Sequence, residues 1–225
     1  MLPIAHIQNG FRTKFAIPRQ AGLVKKTPST IVFEPPYRAL EAVRGIEDFS
    51  HLWLIWNFSE NEQAGWSPTV RPPRLGGNKR VGVFATRSPF RPNPIGLSCV
   101  KLESVEFTHD RGPLLHVSGA DLMDGTPIFD IKPYLPFADC HPEAKGGLPG
   151  ALIGETVMVV IPENLLARIP ATDRETVREI LAQDPRPAYQ DEPERVYGFP
   201  YGNIEIHFKV ADKRLEVVDI QKTNG

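Results

Sequence analysis

The first 160 of the 225 residues alternate short apolar runs with turns. The runs are rich in Val, Ile, Leu, Phe and Trp, and clusters of Pro and Gly separate them. Short strands with regular turn signals predict a β-barrel or a β-sandwich. The predicted strands are Pro3–Gln8, Thr30–Phe33, Leu52–Phe58, Val81–Ala85, Ile95–Phe107, Leu114–Ala120, Pro127–Ile131 and Glu155–Ile161.

A helix is predicted within this β-rich part at Arg38–Phe49, because Leu40, Val43 and Ile46 recur at helical spacing. The pattern changes after Pro162. The segments Glu163–Ile169 and Thr172–Gln183 predict helices, and Thr172 with Glu175 has the spacing of a capping box.

The end of the chain predicts a β-hairpin. Residues 204–210 alternate apolar and polar side chains, residues 211–213 form a turn, and residues 215–220 return with apolar side chains. Together with the two helices, the hairpin predicts a small α+β domain at residues 163–225. Such a small domain is expected to pack on the first domain, residues 1–162, or on a partner chain.

Composition excludes several classes of protein. A chain with 41% apolar and 24% charged residues is typical of an ordinary soluble protein. Two cysteines, Cys99 and Cys140, are too few for a disulfide scaffold or a four-cysteine zinc site. The six histidines are scattered, so no metal site is expected, and the glycine motifs of Rossmann and P-loop folds are absent.

Neither a secretory signal nor a membrane span is expected, since no apolar run approaches the roughly 20 residues that a span needs. A cytoplasmic protein is therefore predicted.

The net charge of −1 hides an asymmetry between the two parts of the chain. Residues 1–100 carry 13 basic and 6 acidic side chains, a net of +7, whereas residues 101–225 have a net of −8. A stretch without acidic residues between Gln63 and Leu102 predicts attraction of a polyanion, or equally a solvated surface loop. Its basic residues are Arg71, Arg74, Lys79, Arg80, Arg87, Arg91 and Lys101.

Two segments concentrate candidate chemistry. In residues 87–97, RSPFRPNPIGL, three prolines hold two arginines on a stiff turn that favours binding of an anion or carboxylate. The alternative is a rigid connection whose arginines pair with acids. In residues 124–134, DGTPIFDIKPY, Asp124 is suited to accept from backbone N–H groups or from a ribose diol, while Asp130 and Lys132 share a face. An Asx-turn beside an exposed ion pair explains that segment equally well.

Three weaker segments complete the set. Residues 16–22 form a turn with one Arg and one Gln, residues 66–78 combine Trp, Arg and Gly as RNA-facing loops do, and residues 184–189 stop a helix. A buried Trp and a solvated loop explain residues 66–78 equally well, and the turn at residues 16–22 is a weak signal when taken alone. Taken alone, the residues predict a β-rich protein whose stiff basic loops bind an anionic or nucleotide ligand, without naming the reaction.

Five segments resemble the TrmO family, also described as TsaA-like or YaeB-like, of S-adenosylmethionine-dependent tRNA methyltransferases. They are FAIPRQAGLV (15–24), VRGIEDFSHLWLIW (43–56), RPPRLGGNKRVGVFATR (71–87), ATRSPFRPNPIGLS (85–98) and DGTPIFDIKPYLPFAD (124–139). DPRPAY and the terminal hairpin resemble the C-terminal domain of bacterial members.

The resemblance implies a mainly β fold, in which a β-barrel methyltransferase domain of non-Rossmann type precedes the small α+β domain. It implies a homodimer that transfers a methyl group from S-adenosylmethionine to N6 of threonylcarbamoyladenosine, in the anticodon stem-loop of a threonine tRNA. The alternative is a non-catalytic nucleotide- or RNA-binding β-module with the same fold.

The family's motifs also imply site residues. The implied cofactor contacts are Pro18, Arg19, Gln20, Arg87, Leu97, Asp124, Gly125, Thr126 and Pro127. A further family contact often contains a His-Gln pair, but Ser59-Glu60 stands there in this chain and is not predicted as a contact.

Methylation of a poorly nucleophilic nitrogen requires loss of its proton, and Asp130 is the predicted base. Lys132 or Tyr134 is the alternative, orienting the carbamoyl oxygen or favouring the deprotonated nitrogen. For tRNA phosphates, the predicted contacts are Arg71, Arg74, Lys79, Arg80 and Arg91.

Overall fold

A computed structural model describes residues 1–72, 80–147, 156–186 and 192–223 of the chain, without the side chains of residues 62–64. In these ranges, six antiparallel strands form a barrel: β1 (Ala5–Gln8), β2 (Ser29–Phe33), β3 (His51–Asn57), β6 (Ile95–Thr108), β7 (Gly112–Ser118) and β8 (Pro127–Pro133). The barrel is closed in the order β1-β2-β7-β6-β3-β8. The predicted β-barrel of non-Rossmann type is therefore confirmed.

Every second side chain along a barrel strand points inward, and these side chains fill the barrel. Along β3, the side chains of Leu52, Leu54 and Trp56 are buried, while the residues between them are half-buried on the outer face. This period of two follows from the pleat of a strand, which sends successive side chains to opposite faces. Because β3 pairs with both β6 and β8, its inward side chains meet those of two neighbours in one core.

Smaller elements surround the barrel. β4 (Thr69–Val70) and β5 (Val81–Gly82) form a two-stranded ribbon beside it. A short helix, α1 (Pro136–Asp139), follows β8. None of the described helices is long and apolar enough to cross a membrane.

A second sheet with two helices forms the C-terminal part. Its elements are β9 (Met158–Val160), α2 (Glu163–Leu166), α3 (Arg174–Ala182), β10 (Tyr197–Tyr201), β11 (Ile204–Ala211) and β12 (Arg214–Lys222). Within the described residues, the strand order is β10-β11-β12-β9. The α3 helix buries Val177, Ile180 and Leu181 in the core of this sheet. The predicted small α+β unit is confirmed, whereas the predicted boundary at residue 162 stays a prediction.

The hairpin between β11 and β12 has the predicted turn. Ala211 pairs with Arg214, and the two residues between them, Asp212 and Lys213, have φ angles of 47° and 59°. Two consecutive positive φ angles define a type I′ turn, whose twist matches that of the paired strands.

The predicted helix at Arg38–Phe49 is wrong. One short 3-10 turn, Pro35–Tyr37, precedes this segment, and two more, Leu40–Val43 and Ile46–Asp48, replace the predicted helix. Gly45 separates the last two with a φ angle of +83°, and Leu40 is 51% exposed, so the spacing of apolar residues does not produce a buried helical face.

The predicted capping box before α3 is also wrong. Thr172 Oγ1 donates to the carboxylate of Asp173 at 3.1 Å, and Glu175 forms an ion pair with Lys26 at 2.6 Å. Both side chains therefore bond to side chains rather than to each other's backbone.

Two predicted strands are shorter than expected. The segment Val81–Ala85 is a strand only to Gly82 and continues as a 3-10 turn, Val83–Ala85. Of the segment Glu155–Ile161, Met158–Val160 is a strand and Glu155 lies outside the described residues. The strand β10 was not predicted.

Candidate active site

A cleft of about 470 Å³ opens where β3 ends and β6 begins. The 3-10 turn after β3 (Ser59–Ala64), the stiff loop before β6, the loop at residues 14–20 and the segment before β8 contribute to its walls. Its size is in the range of sites that hold a drug-sized ligand. The long-range pairing of the barrel thus gathers loops that are distant in sequence.

The indole of Trp56 forms part of the cleft lining and fixes its shape. Gly96 is the residue opposite Trp56 in the β3–β6 ladder. A Cβ atom added to Gly96 would lie 2.2 Å from Cε2 of that indole. Any residue other than glycine would therefore force the ring or the strand to move. Glycine at position 96 therefore allows the ring to lie across β6.

A chain of hydrogen bonds runs from this indole to a carboxylate in the cleft. Trp56 Nε1 donates to Ser98 Oγ at 2.9 Å, and Ser98 Oγ donates to Asp121 Oδ1 at 2.5 Å. Ser98 is 1% exposed, so its hydroxyl is shielded from competing water. The Asp121 carboxylate is consequently held in one orientation beside the cleft.

Burial raises the pKa of Asp121 above its ordinary value. The hydrogen bond from Ser98, the backbone N–H groups of Asp121 and Ala21, and the charge of Arg87 oppose this rise. Because desolvation prevails, Asp121 protonates more readily than a solvated aspartate.

Cationic side chains line the cleft opposite these groups, and several are held by hydrogen bonds. Arg87 Nη1 donates to Gln20 Oε1 at 2.5 Å, which connects the stiff loop before β6 to the loop at residues 14–20. Arg91 Nη1 donates to the carbonyls of Val83 and Thr86 at 3.1 and 2.7 Å. The cationic residues of the lining are Lys14, Arg19, Arg87 and Arg91. The cleft is therefore suited to a ligand that carries a carboxylate or phosphate.

The turn before β8 is fixed by the backbone of the N-terminal segment. Asp124 Oδ1 accepts from the N–H of Asn9 at 2.9 Å, and Gly125, with φ +76°, donates to the carbonyl of Ile7 at 2.8 Å. Thr126, which is 5% exposed, closes the turn through a bond to the carbonyl of Met123 at 3.1 Å. The Asp124 carboxylate thus connects this turn to the N-terminal segment.

No group of three or more His, Cys, Asp or Glu side chains suited to a metal ion occurs among the described residues. The groups available for chemistry in the cleft are arginines, the half-buried carboxyl group of Asp121 and an apolar wall.

Comparison with known proteins places this architecture in one family. The family model described as the tRNA-methyltransferase O N-terminal domain matches residues 6–140, and that of the TrmO C-terminal domain matches residues 157–223. The chain belongs to this family. Its identity to the Escherichia coli K12 tRNA (adenine(37)-N6)-methyltransferase is 43% over 226 residues, or 97% of this chain and 96% of that protein.

Other relatives agree with this assignment. A crystal structure of TrmO from Pseudomonas aeruginosa superposes with a TM-score of 0.79 at 34% identity, covering 97% of this chain and 96% of that one. A Pyrococcus abyssi relative, named a probable S-adenosyl-L-methionine-binding protein, is 37% identical over 145 residues, or 64% of this chain and 73% of that protein. This chain is a tRNA methyltransferase that uses S-adenosylmethionine.

The structure brings most of the cofactor contacts implied by the family together in the cleft. Three of the nine, Asp124, Gly125 and Pro127, flank Thr126 in the turn before β8. The contacts that line the cleft are Pro18, Arg19, Gln20, Arg87, Leu97 and Thr126.

The three residues predicted for catalysis lie elsewhere. Asp130 and Lys132 form an exposed ion pair at 2.9 Å on β8, and Asp130 Oδ1 also accepts from the N–H of Ile131. The ring of Tyr134 packs 5.8 Å from that of Trp53. These side chains are not part of the cleft lining formed by the described residues, and their catalytic role stays a prediction.

The predicted RNA contacts have mixed positions. Arg71 is exposed, Arg80 donates to Thr69 Oγ1 at 2.9 Å, and Arg91 lines the cleft. Arg74 and Lys79 lie outside the described residues. Binding of RNA by this group stays a prediction.

Sequence reasoning did not identify Trp56, Ser98 or Asp121 as parts of one site. The position of Asp121, three residues before the DGTP motif, is a sequence signal that could have placed it in the site. The contact of Trp56 with Ser98 has no such signal, because it depends on strand pairing across 42 residues. Ser59 and Glu60, which were not predicted as contacts, line the cleft as well.

Proposed function

We propose that this chain transfers a methyl group from S-adenosylmethionine to N6 of threonylcarbamoyladenosine beside the anticodon of a threonine tRNA. The observation that carries the proposal is the cleft itself, in which Arg19, Gln20 and Arg87 from separate segments meet Leu97 and Thr126. The names of the relatives, tRNA (adenine(37)-N6)-methyltransferases, support the position of the target base.

The groups of the cleft fit the three parts of this cofactor, namely its methionine carboxylate, its adenine and its ribose. Arg87, already oriented by Gln20, offers the remaining N–H groups of its planar guanidinium to the methionine carboxylate. Leu97 and Ile95 provide an apolar wall for the adenine, since both line the cleft and are 48% and 36% exposed. Thr126, the member of the Asp124–Thr126 turn that lines the cleft, is placed to contact the ribose.

When bound, S-adenosylmethionine supplies a methyl group activated by a sulfonium centre. The residues of the chain have to align the target nitrogen with that group and exclude water, because positioning contributes much of the rate of such a displacement. Trp56 and Leu97 place apolar surface at the cleft, which favours exclusion of water around the reacting atoms.

Loss of the N6 proton requires an acceptor, and Asp130 remains the predicted base. If Asp130 accepts this proton, Asp130→Asn should lower turnover by about 100-fold or more while leaving cofactor affinity unchanged. Lys132→Met and Tyr134→Phe test the alternative, in which one of these residues orients the carbamoyl oxygen. Near-normal turnover of Asp130→Asn with intact cofactor binding would exclude Asp130.

The anticodon stem-loop is proposed to lie over the basic residues near the cleft. Arg71 directly follows β4 and Arg80 directly precedes β5, so both exposed arginines lie at the end of the ribbon where Val70 pairs with Val81. Their positive charges favour contact with phosphates, which fix the position of an RNA without reading its sequence.

A homodimer in the cytoplasm is also part of the proposal. The exposed apolar side chain of Phe84, which is 73% exposed and lies against the guanidinium of the cleft residue Arg91, supports contact with a second copy. Light scattering tests this assembly, and a mass of 25.1 kDa across micromolar concentrations would rule it out.

The activity is tested by incubating the chain with S-adenosylmethionine labelled in its methyl group and with tRNA that carries or lacks threonylcarbamoyladenosine. Label is expected in the modified tRNA only. A non-catalytic RNA-binding module would bind both tRNAs and incorporate no label. Addition of the cofactor at about 100 times its Kd should also stabilise the folded protein by about 2.7 kcal/mol.

A further inference from the structure

The loop that lines the cleft from the N-terminal side is built into the core of the C-terminal sheet. Val24 is fully buried among residues of that core, and Phe15, Ala16 and Ile17 pack against it. The rings of Phe15 and Phe199 lie 6.4 Å apart. Residues 15–27, here named the cofactor loop, therefore have apolar partners in the C-terminal unit on one side and face the cleft on the other.

The same interface extends to the segment just before the cofactor loop. Gly202 N donates to the carbonyl of Gly10 at 2.9 Å, and the rings of Phe11 and Tyr201 meet edge to face at 5.4 Å. A Cβ atom at Gly10 would lie 2.7 Å from Tyr201 Cζ, so the two units approach as closely as glycine permits. Such close packing limits the positions that the loop can adopt.

Backbone groups at the end of the cofactor loop bind side chains of α3. Glu179 Oε2 accepts from the N–H groups of Lys25 and Lys26 at 2.7 and 3.2 Å. The hydroxyl of Thr176, which is 1% exposed, donates to the carbonyl of Lys26. A single carboxylate thus satisfies two consecutive backbone donors, and a charged acceptor makes these bonds stronger than bonds between neutral groups.

A cleft residue is itself held by the C-terminal unit. Arg19 Nη2 donates to the carbonyl of Asp184 at 3.2 Å. Asp184 has a φ angle of +48°, and its carboxylate accepts two hydrogen bonds of 2.9 Å from Arg186. This bidentate pair stabilises a backbone conformation that is uncommon outside glycine and aims the carbonyl at Arg19.

We propose that the C-terminal unit positions the cofactor loop, and that Glu179 is the residue through which α3 acts. The inference rests on the proposed function for the identity of the ligand. A loop that is already held in its binding conformation loses less entropy when the ligand binds. If the loop samples other conformations, the apparent affinity falls in proportion to the binding-competent fraction.

The test compares Glu179→Ala with the conservative Glu179→Gln and with the control Glu194→Gln. The glutamine variant retains one oxygen that accepts from the backbone, whereas the alanine variant retains none. Glu194 is a 94% exposed acid of the same unit that pairs with Lys209, so its replacement controls for loss of a charge. The measurements are hydrogen exchange of the Lys25 and Lys26 amides without ligand, and calorimetric Kd values for S-adenosylmethionine and for tRNA.

Glu179→Ala is expected to accelerate exchange of the two amides about tenfold and to raise the cofactor Kd about fivefold to tenfold. Glu179→Gln should recover most of both effects, and the tRNA Kd without cofactor should stay within about twofold. Thr176→Val, which removes the second contact to Lys26 without a large change in volume, should act in the same direction if Glu179→Ala does not fold.

Unchanged exchange in Glu179→Ala, or faster exchange with an unchanged cofactor Kd, would overturn the inference. Failure of the proposed function is distinguishable from these results, since the unaltered chain would then show no binding of S-adenosylmethionine, while the exchange measurement would still report on the interface. An equal loss of tRNA and cofactor binding would indicate general destabilisation and would also count against positioning.

Discussion

Ser98 connects Trp56 and Asp121 at the base of the cleft, and its removal should destabilise the barrel measurably. The substitution Ser98→Ala deletes an oxygen that accepts one hydrogen bond at 2.9 Å and donates another at 2.5 Å. Position 98 is 1% exposed, so water has little access to replace either bond. Both partners would therefore lose a hydrogen bond without compensation.

The expected size follows from these two losses. A buried indole N–H without a partner costs about 1–3 kcal/mol, and loss of a hydrogen bond to a carboxylate costs about 1.5–3 kcal/mol. The free energy of unfolding should consequently fall by about 3–5 kcal/mol at pH 7, a large part of the total for a typical domain. The loss should be smaller at a pH below the raised pKa of Asp121, where protonation makes its bond neutral.

Urea unfolding at the two pH values measures this effect as a shift in midpoint at a constant denaturant slope. Ser104→Ala is the matched control, since Ser104 is exposed on the same strand, β6. The reasoning is refuted by a loss below about 1 kcal/mol at pH 7, or by a loss that does not depend on pH.

Three further predictions concern the same regions. Asp121→Asn should weaken the pH dependence of stability. Burial raises the folded-state pKa of Asp121, so the free energy of unfolding falls as pH rises from 3.8 toward that raised value. If the free energy of unfolding, measured in urea, depended on pH as strongly in the variant, this prediction would be contradicted. Gly96→Ala should lower the free energy of unfolding by about 1–3 kcal/mol, because the added methyl group clashes with Trp56. Thermal unfolding is compared with that of Gly82→Ala, where no described residue beyond the chain neighbours lies within 4 Å of the added Cβ. Equal shifts in Tm would argue against the clash. Affinity for tRNA should fall roughly a hundredfold between about 50 and 200 mM salt if about four phosphates are bound; a flat titration would exclude the proposed basic surface.

Contacts of the C-terminal unit account for part of the charge asymmetry of the chain. The acidic excess of residues 101–225 suggests a poor surface for RNA, yet Glu175 and Glu179 of α3 bind Lys26 and the backbone beside it. Part of that negative charge therefore serves the contact between the two units.

The six barrel strands and the terminal hairpin were predictable from sequence, because alternation along a strand is local and survives in any context with one buried face. The long β6, which covers Ile95–Thr108, matches the predicted Ile95–Phe107 to within one residue. The helix expected at Arg38–Phe49 failed for a related reason, since helical spacing is meaningful only where tertiary packing covers the apolar face, and Leu40 remains exposed.

The sequence by itself determined the β-rich class, the proline-stiffened loops that carry Arg87 and Arg91, and the Asp124–Thr126 turn, since these features depend on backbone restrictions within a few residues. Only the tertiary structure decided which of them meet. Asp121 and Asp130 both stand between apolar residues in the sequence. Barrel closure nevertheless places Asp121 against Ser98 beside the cleft and leaves Asp130 on the outer surface with Lys132. Strand pairing between distant segments sets these distances, and no local pattern encodes them.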